Sequence, residues 1–390
     1  MTSPRPLIVI IGAGATGRGH IGQLAHAAGF VITFIERKKD LVAALRSAGR
    51  YAVVLAGKTA RKLEIDGFAI HHLDEAEACA EAIAGADIVT TAVLPTNLES
   101  TVPTLAAGLE LRRSREVGKP LNVIACENME RSSTTLRGYL QRGAPDLDWP
   151  WLDRQVGFPD AMVARAVPVP KDPLVLYAEA AQEISVDARQ AKQPMPALPG
   201  LTLSENQEAA LERKLYIKNT GHFAIGILGY RTGYLLMDEA ARDPDIFRPV
   251  DAATRESAAA VVAKHGFDAR ATEEYRAAFL EGMTTPFLPD EVTRVIREPI
   301  RKLGREERLV GPALLACELV GPPHALAGVI AAVLTVVNPE DAQSRELQTR
   351  LRSEGLETVL EQICGIPRDH LLAGLIGRAY GGFRPQEKVT

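Results

Sequence analysis

The chain has 390 residues, with 45 Lys and Arg against 49 Asp and Glu and a formal net charge of -4. Its basic residues are spread along the sequence, which argues against nucleic acid as a partner, and its 46% hydrophobic content is ample for two or three cored domains. Cys79, Cys126, Cys317 and Cys364 stand far apart without a CxxC or a Cys/His cluster, so neither a metal site nor a disulfide framework is expected and a reducing cytoplasm fits.

Leu7 to Ile11 is a continuous apolar, β-branched run of the kind expected in a central parallel strand buried on both faces. With Arg5 before it the run imitates a signal peptide, but the glycines that follow give it a different role, so no export is expected. Those glycines form Gly12-Ala-Gly14-Ala-Thr16-Gly17. Gly12 suits the tight turn, Gly14 lets a pyrophosphate approach the backbone, and Gly17 lets helix and strand pack closely, with phosphate at the helix N-terminus. Arg18 to Ala28 reads as that helix.

A second run, Val31 to Ile35, ends at Glu36, where a carboxylate can bond a ribose 2′-hydroxyl. This favours NAD, because a 2′-phosphate would meet the negative charge; the following Arg37 and Lys38 keep NADP as the alternative. Within Lys62 to His72, Asp66-Gly67 is a hairpin signal, and His71 and His72 point to opposite strand faces as surface residues. Ile88 to Val93 and Leu121 to Cys126 extend the sheet, and their ends bring Val93 and Glu127-Asn128 toward the cofactor. Val156 to Pro170 and Leu174 to Val186 look like strands. The proline-rich Gln193 to Gly200 then marks a boundary near residue 200 between a dinucleotide-binding domain, 1–200, and a mostly helical substrate domain, 201–390.

Lys214-Leu-Tyr-Ile-Lys218-Asn219-Thr-Gly-His222 places an amine, an amide and an imidazole on nine residues of expected helix. At about 100° per residue, Asn219 lies roughly 140° and His222 roughly 80° around the axis from Lys214, so all three can face one pocket. Lys218 is only about 40° from Lys214, and spacing leaves both lysines eligible as a base. A solvated polar face is the bland alternative. Apolar neighbours including Tyr216, Ile217, Phe223 and Ile225 favour a largely buried helix, in which a lysine loses hydration and its pKa falls from about 10.4 toward 7 to 8. Further on, Arg294, Arg297, Arg301, Lys302, Arg305 and Arg308 form a basic stretch interleaved with Glu291, Glu298, Glu306 and Glu307. Either a phosphate site or an ion-paired surface face fits it. Ala325 to Val337 is apolar but too short to span a bilayer, and reads as a buried core helix.

The segments Gly12-Ala-Gly-Ala-Thr-Gly-Arg-Gly-His-Ile-Gly22, Asp87-Ile-Val-Thr-Thr-Ala-Val93, Ala125-Cys-Glu-Asn-Met129, Glu212-Arg-Lys-Leu215, Asn219-Thr-Gly-His222 and Pro299-Ile-Arg-Lys-Leu303 run nearly end to end. In them the chain resembles the polyol-specific long-chain dehydrogenases, most closely the mannitol-1-phosphate 5-dehydrogenases. The resemblance implies a Rossmann domain followed by a mostly helical domain and a metal-independent hydride transfer between NAD and a polyol or its phosphate. It selects Lys214 over Lys218 as general base. Asn128 and Asn219 would hold the oxygen that gains charge, His222 a substrate hydroxyl, and Arg301 and Lys302 the phosphate. Two departures stand out: Val163-Ala164-Arg165 where the family often carries Val-Asp-Arg, and Thr285-Pro286 in place of Asn-Pro. The alternatives are an unphosphorylated polyol or hexonate dehydrogenase, and a nucleotide-binding sensor without catalysis. A cytoplasmic monomer or small homo-oligomer is expected.

Overall fold

The computed structural model describes residues 5–56, 60–180, 182–284 and 290–383, and they divide into two compact units, Met1–Ala210 and Leu211–Thr390. In the first unit, Leu7–Ile11 has its last four residues fully buried, as an apolar run on both faces requires. It lies inside a six-stranded sheet whose spatial order is Ala69–His72, Val31–Glu36, Leu7–Ile11, Ile88–Thr91, Leu121–Ala125, Val156–Gly157. Every pairing in that sheet is parallel. This is the 3-2-1-4-5-6 order of a Rossmann sheet, with chain direction reversing beside Leu7–Ile11. The reversal gathers the carboxyl ends of three strands. The Gly12 amide donates to the Ile35 carbonyl at 2.8 Å, and the Ala92 amide to the Ile11 carbonyl at 2.8 Å.

Two three-stranded sheets elaborate the unit. One has the order Val175–Glu179, Arg50–Ala56, Arg61–Asp66, and the other Leu201–Ser204, Ile184–Asp187, Ala161–Val163. The hairpin expected at Asp66-Gly67 is not one. Gly67 does turn the chain, with φ 65°. The strands on either side belong to different sheets, and Arg61–Asp66 pairs antiparallel with Arg50–Ala56 instead. His71 and His72 are only partly exposed. His71 meets Glu75 at 3.2 Å, while His72 donates through Nε2 to the Arg37 carbonyl at 2.9 Å.

Helices make up most of the second unit. Pro244–His265 packs against Thr220–Thr232, Val310–Leu319 and His324–Thr335. His324–Thr335 is buried along nearly its whole length, as a helix apolar on every side should be. Among the described residues, no helix is long and apolar enough to cross a membrane.

Candidate active site

The glycine loop is built to leave one small stretch of backbone accessible. Gly12 has φ 102°, and a Cβ there would lie 2.5 Å from the Ala92 carbonyl oxygen. A Cβ on Gly17 would lie 2.0 Å from the Gly12 oxygen, so the helix can follow the turn closely only with glycine at that position. Gly14 is different: a Cβ there would meet nothing within 4 Å. Gly14, Ala15 and Thr16 are partly exposed while Gly12, Ala13 and residues 17–22 are buried. The helix begins at residue 15, and its first-turn amides have no partner within the helix. Open space in front of a helix N-terminus suits a pyrophosphate, so these residues fit a dinucleotide.

Glu36 closes the loop from the neighbouring strand. Its Oε2 accepts the Ala13 amide at 2.9 Å, and its Oε1 accepts the amides of Arg37 and Lys38 at 2.9 Å each. Three backbone donors hold the carboxylate at the carboxyl edge of its strand. The helix after the loop is itself unusual. Gly17–Gly22 is π-helical before the α-helix Gln23–Ala27.

A second carboxylate organises the other side of the strand reversal. Buried Glu127 accepts from Thr91 Oγ1 at 2.8 Å and from the Val93 amide at 2.9 Å, and burial raises its pKa. Val93 is thereby tied to the segment that carries Asn128. That segment is held behind by Ser132 Oγ, which donates to the Ala125 carbonyl at 2.7 Å, and by Ser133 Oγ, which accepts the Ala125 amide at 2.9 Å. Asn128 is exposed. Leu94, which sequence reasoning passed over, follows Val93 at φ 83° and is 66% exposed, a strained non-glycine conformation at the end of a sheet strand.

In the second unit, Lys214–Asn219 is again π-helical, flanked by the α-helices Gln207–Arg213 and Thr220–Thr232. Among the described residues the named π-helical elements are this one and Gly17–Gly22. Such turns are rare and frequent at functional sites. The 100° step therefore fails between Lys214 and Asn219. Hydrogen bonding from i to i+5 brings residues five apart onto one turn, so Asn219 sits over Lys214 rather than roughly 140° away. His222 follows three α-helical residues later, about 60° around the axis from Asn219.

Lys214, Lys218, Asn219 and His222 are all partly exposed, whereas Tyr216, Ile217, Thr220, Gly221 and Phe223 are buried. The packing that fixes the buried face is tight. A Cβ on Gly221 would lie 2.5 Å from Phe279, and the Thr220 hydroxyl donates to the Arg308 carbonyl. Lys218 places its ammonium 4.4 Å from the Tyr275 ring centroid.

His222 has a partner that no local pattern announced. Its Nε2 lies 3.0 Å from Oδ2 of buried Asp290. Arg294 donates to the same carboxylate through Nε at 2.6 Å and Nη2 at 2.6 Å. Burial pushes the Asp290 pKa up, but the hydrogen bonds from His222 and Arg294 outweigh it and hold it at about 2.

Residues 6–200 match the mannitol dehydrogenase Rossmann domain, and residues 208–372 match the mannitol dehydrogenase C-terminal domain. The chain belongs to the mannitol dehydrogenase family. It is 39% identical over 372 residues to mannitol-1-phosphate 5-dehydrogenase of Brevibacillus brevis, covering 95% of this chain and 96% of that one. Two solved structures share the fold. A Pseudomonas fluorescens mannitol 2-dehydrogenase ternary complex with NAD and D-mannitol has a TM-score of 0.71 at 18% identity, over 97% of this chain and 92% of that one. A substrate-free D-sorbitol dehydrogenase has a TM-score of 0.77 at 16% identity, over 96% of this chain and 92% of that one.

Within this mannitol dehydrogenase family member, the two expected phosphate residues occupy different settings. Arg301 is half-exposed and already shared between Glu298 at 2.7 Å and Glu307 at 3.1 Å, the ion-paired arrangement its interleaved acids allow. Lys302 is 8% exposed, donates to the Val295 carbonyl at 2.8 Å and lies 5.1 Å from the Phe223 ring centroid. Burial lowers its pKa to about 7, helped by nearby Arg308 and Arg301. Arg308 is also largely buried, with a side chain 13% exposed. In the departing Val163-Ala164-Arg165 triplet, Ala164 is buried, and Arg165 donates to Gln23 Oε1 at 2.8 Å and to the Gly19 carbonyl at 3.2 Å. Arg165 thus braces the cofactor-loop helix. Thr285-Pro286 lies outside the described residues.

Proposed function

We propose that the chain interconverts a polyol phosphate and its ketose phosphate, of the mannitol 1-phosphate and fructose 6-phosphate type, with NAD as the hydride partner. The carrying observation is the π-helical turn Lys214–Asn219, which sets an amine and an amide on one helical turn with His222 just beyond. NAD, when bound, takes or returns the hydride, which leaves the chain to manage a proton and the charge on one oxygen.

In oxidation, Lys214 Nζ takes the hydroxyl proton as the carbon loses hydride. In reduction it returns that proton to the oxygen. Asn219 donates an amide hydrogen to that oxygen, which carries most negative charge in the transition state, and the family resemblance implies an amide-donor role for Asn128 as well; such donors are each worth about 2.7 to 4 kcal/mol. His222 orients a further hydroxyl. Glu36 takes the adenosine ribose and favours NAD over NADP, because a 2′-phosphate would lie against a carboxylate. Val93 and Gly12 to Gly17 line the cofactor.

For the phosphate, Lys302 with Arg308 is a better pair than Lys302 with Arg301. Arg301 is half-exposed and already has two carboxylates, while Lys302 is buried against the Val295 carbonyl and Arg308, 13% exposed, meets Glu307 at 3.0 Å; burial lowers the pKa of both, and an added anion would offset that cost. The identity of the Brevibacillus brevis relative supports the phosphorylated substrate. All four cysteines are thiols, which suits a cytoplasmic protein.

The test is a steady-state comparison of mannitol 1-phosphate with mannitol and hexonates, each with NAD and NADP. The expected result is a kcat/KM at least about a hundredfold higher for the phosphate ester with NAD, equivalent to about 2.7 kcal/mol of transition-state binding. Equal or better use of the unphosphorylated compounds would replace this reading with that of a polyol or hexonate dehydrogenase.

A further inference from the structure

We propose that Asp290 is the positioning residue for His222: it fixes the imidazole as the Nε2–H tautomer and thereby presents Nδ1 as an acceptor for a substrate hydroxyl. This rests on the reading above, in which His222 meets the substrate.

The geometry assigns the tautomer. An ionised carboxylate only accepts hydrogen bonds, so the 3.0 Å contact between His222 Nε2 and Asp290 Oδ2 requires the proton on Nε2. In the neutral ring the other nitrogen is then an acceptor. The carboxylate is held at an acid pKa of about 2 and stays ionised through the working range.

Asp290 is itself held on several sides. Arg294 forks onto both carboxylate oxygens. The Asp290 carbonyl accepts the Met237 amide at 2.9 Å, and the Val292 amide donates to the Leu235 carbonyl at 3.0 Å. This short antiparallel clamp, with Leu236 opposite Glu291, ties residues 290–292 to the chain just after the His222 helix. The two side chains differ in access: His222 is 28% exposed and Asp290 10%. The imidazole can meet a ligand while the carboxylate works behind it. A buried acceptor that orients a partly open histidine makes the ring selective for a hydroxyl that donates.

The direct test is 15N NMR of the full-length protein above neutral pH, with His222 assigned from the spectrum that His222→Gln lacks. An Nε2–H tautomer is expected; an Nδ1–H tautomer would overturn the proposal. Asp290→Asn offers the ring a donor as well as an acceptor and so releases the tautomer. It should raise the KM for substrate at least tenfold with unchanged NADH affinity, and Asp290→Glu should recover part of the loss. Wild-type KM in a folded Asp290→Asn protein would also overturn it. His222→Gln separates the two levels. A raised KM there with a normal Asp290→Asn variant removes only the positioning role, whereas a normal KM in His222→Gln removes the substrate role of His222 itself.

Discussion

Lys218 and Tyr275 form a cation–π pair, the ammonium 4.4 Å from the ring centroid. The Arg213 guanidinium lies 4.5 Å from the same ring. The Tyr275 ring thus packs against two cationic side chains at once. Of the two lysines that helical spacing left eligible, we propose Lys218 as the structural one, because its ammonium packs on a ring. Lys218→Met should keep turnover within about threefold of wild type while lowering stability by about 0.5 to 1 kcal/mol. Turnover and urea unfolding check this, and a hundredfold loss of turnover in a folded variant would return Lys218 to the mechanism.

Two glycines of one loop should fail in different ways. A Cβ at Gly17 meets the Gly12 oxygen at 2.0 Å, so Gly17→Ala must shift backbone and should cost about 1 to 3 kcal/mol. At Gly14 the Cβ enters open space, so Gly14→Ala should melt like wild type. It should nonetheless bind NADH about tenfold or more weakly, a loss of about 1.4 kcal/mol, because the methyl occupies the path of the pyrophosphate. Thermal scans and NADH fluorescence titrations separate the two effects. Unchanged NADH affinity in Gly14→Ala would move the pyrophosphate elsewhere.

In the proposed phosphate site, Lys302 would link binding to protons. With a pKa of about 7 it is mostly neutral at pH 8. A nearby phosphate dianion favours the ammonium form and raises that pKa, so binding must take up protons at this pH, roughly half a proton or more. Calorimetry in two buffers of different ionisation enthalpy measures the uptake when mannitol 1-phosphate binds the enzyme with NADH, a pair that cannot react. Mannitol should give no comparable uptake, and Lys302→Met should abolish it. Identical uptake with Lys302→Met would exclude Lys302 from the phosphate site.

The Rossmann sheet was legible because its signals are local: a buried apolar run, a glycine turn, and an acid at the end of the next strand all lie within residues 7–36. The added sheets were less so. Asp66-Gly67 has the residues of a hairpin turn, but Arg61–Asp66 pairs instead with Arg50–Ala56, where Tyr51 and Val53 are buried and stand opposite Ile65 and Leu63. The Lys214 to His222 motif drew attention to one helix, yet its angular arrangement could not be computed from α-helical geometry across a π-turn. Asp290 lay beyond reach altogether. It meets His222 across 68 residues, and nothing in the local sequence of either residue encodes the contact. Arg301 shows the converse: Glu298, three residues before it, already offered the ion pair that the fold makes.

The Lys214 amine carries the proton in the proposed chemistry, and removing it alone tests that most directly. Single-turnover and steady-state rates of Lys214→Ala with mannitol 1-phosphate and NAD, beside an NADH titration of the same protein, give the answer. Turnover should fall by about 10² to 10⁴ while NADH affinity stays within about twofold. Near-normal turnover in Lys214→Ala would contradict a lysine base at this position and with it the catalytic role of the π-turn.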